Sequence, residues 1–456
     1  MTMRAPTSSL LWLPLLLACS GGGGGGAPVL DYGSEPLRVR VGEPVALAGL
    51  NGVGSGFVAV PPLPNGLSLD ASSGAVTGSA TSTSAASTHQ VSGLVGDVTV
   101  SATLQIAVGA ALPAEVAWLE PGFAIERFAT LTEAPGKFAL CPDGSVLVSE
   151  RSSGVVRRID AGGTLQATPF ATVQVTTGSH RGLLGLAVSP TFASDHFVFA
   201  LATVPAGSGQ PERSVLYRWT EVAGIGQNQL VLRSDLPVAT INNGGALCFD
   251  QDGMLVVSIG DTESPSAAQS DGSFAGKLLR LDPSDGSAAA GNPQPGSPVL
   301  CKGLRNVFAL AREPNSGGLF AADNGPADND ELLLVQPGRN FQWGAAPGAD
   351  FGAATGLLLR LWPDVVVPTG LAFVPNGASE WPAVHRESLF LSLYDEEVVE
   401  RFRMSGALRT EIDDEQRFLA MAPNGVQNKP VDLQWGPDGG LWLLTFAALY
   451  RIERIR

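Results

Sequence analysis

The chain is 456 residues long, 44% hydrophobic and 16% charged, with 56 glycines, 33 prolines and a formal charge of −15. Such a length predicts about two to four domains with room for a sizeable core, and the composition predicts an ordered, loop-rich β protein rather than a disordered one. The acidic balance argues against nucleic acid or an anionic membrane surface as a partner, and it suits calcium.

In chain order, residues 1–18 combine Arg4 with the apolar run Leu10–Leu17, too short to span a bilayer, and read as an export signal. The run LLAC followed by Ser20 resembles the lipobox of bacterial lipoproteins. That resemblance implies lipidation of the Cys19 thiol and a place in the cell envelope, periplasmic or on the outer membrane, with a lipid anchor as the only membrane contact. Residues 19–34, with Gly21–Gly26, read as a flexible tether. Residues 35–110 carry short alternating runs (LRVRV, VALAGL, VTVSATLQIAV) between Gly, Pro and Ser clusters, the pattern of a small antiparallel sandwich. Within them, LPNGLSLDASSGAVTGSA resembles the immunoglobulin-like domains of bacterial surface proteins, which serve as spacers. His89 stands alone there and reads as a solvated side chain.

Residues 115–456 have a different texture. Six turns, each leading into an apolar strand with a second strand after it, recur at about 50 to 65 residues: CPDGSVLVSE, SPTFASDHFVFAL, FDQDGMLVVSIGD, EPNSGGLFAADN, VPNGASEWPAVHRESLFLSL and GPDGGLWLLT. Asp-Gly and Asn-Gly supply the positive-φ positions of hairpins, and radially stacked sheets bury faces that one sheet alone would expose. The expected fold is therefore all-β: a six-bladed β-propeller preceded by an immunoglobulin-like β-sandwich. No long helical periodicity supports an α/β barrel. Cys141, Cys248 and Cys301 show no CxxC spacing and no neighbouring histidine, so they are expected in the core; outside the cytoplasm, one disulfide with a thiol left over is also open. The motifs GxSxG and HExxH and a Gly-rich phosphate loop are missing, which argues against serine hydrolase, zinc protease and nucleotide chemistry.

Three stretches carry candidate chemistry. The corner INNGG (Ile241–Gly245) opens a strand pair, yet the amide of Asn242 cannot accept a proton near neutral pH. Asp323, Asp328, Asp330 and Glu331 crowd into one turn-rich segment, as a hard cation prefers. In GLRN, the planar guanidinium of Arg305, followed by Asn306, suits a carboxylate or a developing oxyanion.

Taken in order, HRGLLGLAVSP, NNGGALCFDQDGMLVVSIGD, GKLLRLDPSDG, GLRNVFAL, DNGPADNDELLLVQPGRNFQWG and VDLQWGPDGGLWLL resemble the soluble quinoprotein glucose/sorbosone dehydrogenases. The resemblance implies pyrroloquinoline quinone and calcium as cofactors and a sugar or polyol hydroxyl as substrate, oxidised by hydride transfer. It places the carbonyls of Gly325 and Pro326 on a calcium that polarises the quinone. Asp330, Glu331 and the Phe341 carbonyl fall on a second calcium, and Arg305 and Asn306 on the quinone itself. Departures accompany it. The histidine base of the family's H-x-G-G-R-L is Asn242 here and its arginine is Ala246, a loss worth on the order of 10²–10⁴ in rate. His180 replaces a glutamine or acid that contacts the quinone, Tyr394 a lysine. Of two arginines, Lys429 keeps a charge and Val431 does not, which weakens the attraction for a ligand with three carboxylates. Asp261 keeps its place in SIGD without being an obvious substitute base. His180 is the candidate relocated base, with Asn242 orienting substrate. The competing expectation is a non-catalytic propeller that keeps its calcium loop and binds glycan or protein, or a purely structural surface module.

Overall fold

A computed structural model describes residues 29–207, 209–327, 329–345 and 357–456; Cys19 and Asp328 lie outside them. The chain divides into one unit built from residues up to Leu112 with Glu120–Ile125 and Arg454–Arg456, and a second from Pro113–Leu119 and Glu126–Glu453.

The first unit is a sandwich of two sheets. One pairs Leu37–Arg40, Val98–Gly109, Ser84–Val95 and Ser55–Val60 in that order, and the other Pro44–Leu47, Val76–Ser79 and Leu67–Leu69. Its long hairpin pairs Val95 with Val98 across Gly96-Asp97, with Gly96 at φ 59 in the position a tight two-residue turn reserves for glycine. Phe57, Val76, Val91, Leu104 and Ile106 form the core. His89 departs from expectation: it is buried, held between Ser87 Oγ at 2.8 Å and the Pro61 carbonyl at 2.9 Å. Two local partners for both ring nitrogens make the interior acceptable to it.

The second unit is a six-bladed β-propeller, six radial sheets whose strands, the outermost of blades five and six excepted, follow chain order outward from the axis. The inner strands of blades one to six are Pro135–Leu140, Leu183–Val188, Leu247–Phe249, Val307–Arg312, Pro368–Phe373 and Pro430–Trp435. Each of the six turns read in the sequence joins an inner strand to the second strand of the same blade. Second strands such as Val146–Glu150, Leu319–Asp323 and Ser388–Leu393 are buried along their whole length, because each blade is covered on both faces by its neighbours. Outer strands such as Ile225–Leu236 are mostly exposed.

Closure joins the two ends of the propeller sequence. Phe123–Thr130 is the outer strand of blade six and Val116–Leu119 the fifth strand of blade five. Phe128 meets Trp442 edge-on, with ring centroids 4.8 Å apart. Cys141, Cys248 and Cys301 are free thiols, and burial pushes Cys141 up to about 11 and the other two to about 12.

On the axis, Lys137 of blade one reaches across the ring. Its Nζ lies 3.1 Å from Asp432 Oδ1 of blade six and 2.6 Å from the Thr369 carbonyl of blade five, and 4.4 Å from the centroid of the Phe308 ring of blade four. Both charged residues are buried. Removing one partner strands the other without solvent, whereas replacing both with apolar groups does not. We expect Lys137→Met to lower unfolding stability by about 3–5 kcal/mol, and Lys137→Met/Asp432→Leu to regain most of it. Urea denaturation of the single and double variants measures both.

Candidate active site

Where the inner strands begin, their preceding turns face one cavity of about 570 Å³ at one end of the axis. Its wall follows a register. One set of lining residues stands at or just before the inner strands: Gly136, His180, Asn242, Asn306, Val367 and Val431. Another is the first residue after a second strand: Arg151, Asn324, Tyr394 and Phe446 in blades one, four, five and six.

The INNGG corner is built by close backbone approach. Asn242 has φ 57, Gly244 φ 70 and Gly245 φ 119. A Cβ on Gly245 would stand 2.8 Å from Leu184 Cβ, and one on Gly260 2.1 Å from the Asn242 carbonyl oxygen, so only glycine lets this turn fold against the SIG strand. The Asn242 amide is buried and donates to Asp261 Oδ1 at 3.0 Å. Asp261 also accepts from Trp343 Nε1 at 2.9 Å and from the Glu263 N–H at 3.0 Å, while its own N–H donates to the Arg305 carbonyl at 2.7 Å. The aspartate that follows the strand thus organises the corner from behind.

His180 comes from the turn before blade two. Its Nδ1 accepts the Asn242 N–H at 3.3 Å, which leaves the proton of the neutral ring on Nε2. Burial, then the positive charges of Arg151 and Arg305, push its pKa below the ordinary histidine value against the pull of Glu263; the ring is neutral near pH 7. Asn243, which the motif reading treats as a spacer, clamps the histidine backbone. Its Nδ2 donates to the carbonyls of His180 and Ala239, each at 2.9 Å, and its Oδ1 accepts the Ala239 N–H at 2.8 Å.

Arg305 and Asn306 sit on the turn into blade four. Their N–H groups donate to the buried Asp323, whose carboxyl burial pushes up to about 6. Asn306 Oδ1 accepts the Gly244 N–H at 3.0 Å, tying this turn to the glycine corner. The Arg305 guanidinium donates from Nη1 to the carbonyls of Asn324 at 2.7 Å and Gly325 at 2.6 Å, and lies 5.6 Å from the centroid of the Trp343 ring.

The cavity therefore brings together His180, Asn242, Arg305, Asn306, Gly325, Pro326 and Asp330. Lys429 stands behind its wall, 3.1 Å from Asp395 Oδ1 and 4.4 Å from the ring of Tyr394, both of which line it. Glu331 and Phe341 are buried elsewhere. Asp330 and Glu331 are neighbours on the strand Asp330–Val335, so pleating turns them to opposite faces. The Asp330 carboxylate is already engaged, accepting N–H groups from Gly325 at 2.7 Å and from Val366 and Val367 at 2.8 Å each.

Two ligand chemistries can be tested against this wall. A calcium ion takes 6–8 oxygens. Here the Gly325 carbonyl already holds a guanidinium and both oxygens of Asp330 hold N–H groups, and among the described residues no three His, Cys, Asp or Glu side chains gather as a metal cluster. The donor set does not form a protein cage for the ion. A flat polyanion does fit: Arg151 and Arg305 present positive charge, and the lining acids Asp330 and Asp395 are engaged by N–H groups and by Lys429. Arg151 and Asn243 carry no motif signal; Arg151 is visible only once the blades are aligned, as the residue that follows a second strand.

These features meet the comparisons with known proteins. Residues 132–451 match the family model described as Glucose / Sorbosone dehydrogenase; the chain belongs to that family. A solved structure described as the PQQ-bound form of aldose sugar dehydrogenase from Streptomyces coelicolor is 28% identical with a TM-score of 0.61, covering 75% of this chain and 99% of that one. An aldose sugar dehydrogenase of Escherichia coli (strain K12) is 24% identical over 350 residues, 72% of this chain and 91% of that protein. Quinoprotein glucose dehydrogenase B of Acinetobacter calcoaceticus is 25% identical over 232 residues, 44% of this chain and 48% of its own length.

Because Asn243 ties the His180 carbonyl to Ala239, we expect Asn243→Ala to lower stability by about 3 kcal/mol, near the loss of three partly buried hydrogen bonds. Thermal and urea unfolding of the variant against the parent chain provide the measurement.

Proposed function

We infer that this protein oxidises a hydroxyl group of an aldose or polyol using pyrroloquinoline quinone. The observation that carries the reading is the single cavity in which His180, Asn242 and Arg305 converge from three blades. The family and the quinone-binding relatives support it.

Bound there, the quinone would supply the hydride acceptor. The chain's own residues account for the remaining needs. Guanidinium groups attract an anionic cofactor in a site partly withdrawn from water, where charge pairs are stronger than at the surface. Asn242, held by Asp261, positions a hydroxyl but takes no proton. Proton removal falls to His180. Its lowered pKa keeps it neutral, and freeing Nε2 to accept requires moving the ring proton to Nδ1 at the loss of one 3.3 Å hydrogen bond from Asn242. Such a bond is worth about 1 kcal/mol, roughly a factor of five in rate, against the 10²–10⁴ that a positioned base contributes. No step is routed through calcium, since the donor set does not fit a protein-held ion. Asn242 is the feature favouring the reading as a non-catalytic binding module, and turnover decides between the two.

The test uses the full chain with Cys19→Ala, incubated with the quinone and followed by cofactor absorbance and dye reduction over a panel of aldoses and polyols. Retention at micromolar quinone together with sugar-dependent reduction is expected, and failure to retain the quinone ends the dehydrogenase reading. His180→Ala should lower kcat by about 10²–10⁴ while quinone binding changes only a few-fold. Unchanged turnover would remove histidine from the chemistry. Since only the neutral ring accepts a proton, the acid limb of kcat/KM for the parent chain should have its midpoint below the ordinary histidine pKa of about 6.5.

The same reading places the protein in the cell envelope, held by a lipid on Cys19 through the glycine tether, with residues 35–110 as an immunoglobulin-like spacer. In cell fractionation the parent chain should sediment with membranes and Cys19→Ala should appear in the soluble extract. Equal sedimentation of the two would exclude the anchor.

A further inference from the structure

Among the described residues, the Arg151 guanidinium makes no hydrogen bond or ion pair, although its Nε is shut off from solvent. It lines the same cavity as His180 and Arg305. The neighbouring acids are engaged elsewhere. Glu150 holds Arg157 Nε at 2.9 Å and Ser153 Oγ at 2.8 Å, Asp330 accepts three N–H groups, and Asp395 pairs with Lys429.

The stem of Arg151 is fixed. Its N–H donates to the Ala134 carbonyl at 2.9 Å and its carbonyl accepts the Leu183 N–H at 2.9 Å. Gly182, at φ 126, lies so close that a Cβ there would stand 2.1 Å from the Arg151 carbonyl oxygen and 2.8 Å from its Cγ. A guanidinium held on a fixed stem, partly withdrawn from water and unpaired, is unfavourable unless an anion completes it. Its planar fork matches a carboxylate in two parallel hydrogen bonds.

We propose that Arg151 binds a carboxylate of the quinone cofactor, supplying from blade one the positive charge that Tyr394 and Val431 do not supply from blades five and six. The inference rests on the dehydrogenase reading above. It adds a ligand-binding residue on the wall beside His180, and it accounts for a cofactor site that lacks cations at the positions where the family resemblance implies them.

The experiment is equilibrium binding of pyrroloquinoline quinone to the full chain in mild detergent, by fluorescence quenching and calorimetry at two salt concentrations, for the parent, Arg151→Gln and Arg151→Lys. Arg151→Gln should raise the quinone Kd about 10- to 100-fold and flatten its salt dependence, and Arg151→Lys should recover part of the loss. Without quinone, Arg151→Gln should melt at the same temperature as the parent or higher, because an unpaired cation has been removed, an outcome a merely structural arginine would not give. Parent binding with an unchanged Kd in Arg151→Gln overturns the proposal and leaves the dehydrogenase reading intact. No binding by the parent overturns that reading instead. An unchanged quinone Kd with a raised KM for a sugar acid, and not for the neutral sugar, would assign the carboxylate to substrate and likewise overturn the proposal.

Discussion

A four-stranded sheet with apolar residues on both faces cannot be stable alone, and everything else in the propeller depends on how this one covers them. Each blade is covered by its two neighbours, so the series has to close, and it closes by giving Val116–Leu119 and Phe123–Thr130 from its beginning to blades five and six near its end. Closure orders all six inner strands around one axis. Turns separated by more than a hundred residues are thereby brought to a common wall, and the cavity is a by-product of the same apolar burial that holds the blades together.

Charge is distributed against the overall balance. The chain carries −15, yet the wall of this cavity offers two guanidinium groups while its carboxylates are engaged by backbone N–H groups or by lysine. The contrast arises from local geometry rather than composition. Asp330 faces three N–H donors because the turn around Gly325 and the segment at Val366-Val367 both fold onto it, so its carboxylate braces the two together. Asp261 likewise serves Asn242 and Trp343 from behind.

Much of this could be read from residue types in order. Turn-and-strand units marked the blades because Asp-Gly turns and buried second strands leave a strong local pattern, and the GLRN and GPADND segments identified Arg305, Gly325 and Asp330 as neighbours of the site. Other parts depend on three-dimensional partners that no local pattern reveals. His89 looked solvated because its partners are Ser87 and the carbonyl of Pro61, 28 residues away in sequence. The acidic run reads as a cation site, and what no local pattern reveals is that strand alternation turns Asp330 and Glu331 to opposite faces while backbone donors engage the first. Arg151 and Asn243 fall outside any motif; each acquires meaning only from its register in the blade or from the turn it clamps.

The ion pair on the axis also determines how solutes can move. Lys137 and Asp432, with Phe308 beneath the ammonium group, stand between the cavity of about 570 Å³ and a second hollow of about 420 Å³ formed by the far ends of the inner strands. Packed into that bore, the charged pair lies on the wall of the second hollow, while its chain neighbours Gly136 and Val431 line the first. A solute passing along the axis would first have to part that pair, stranding two buried charges.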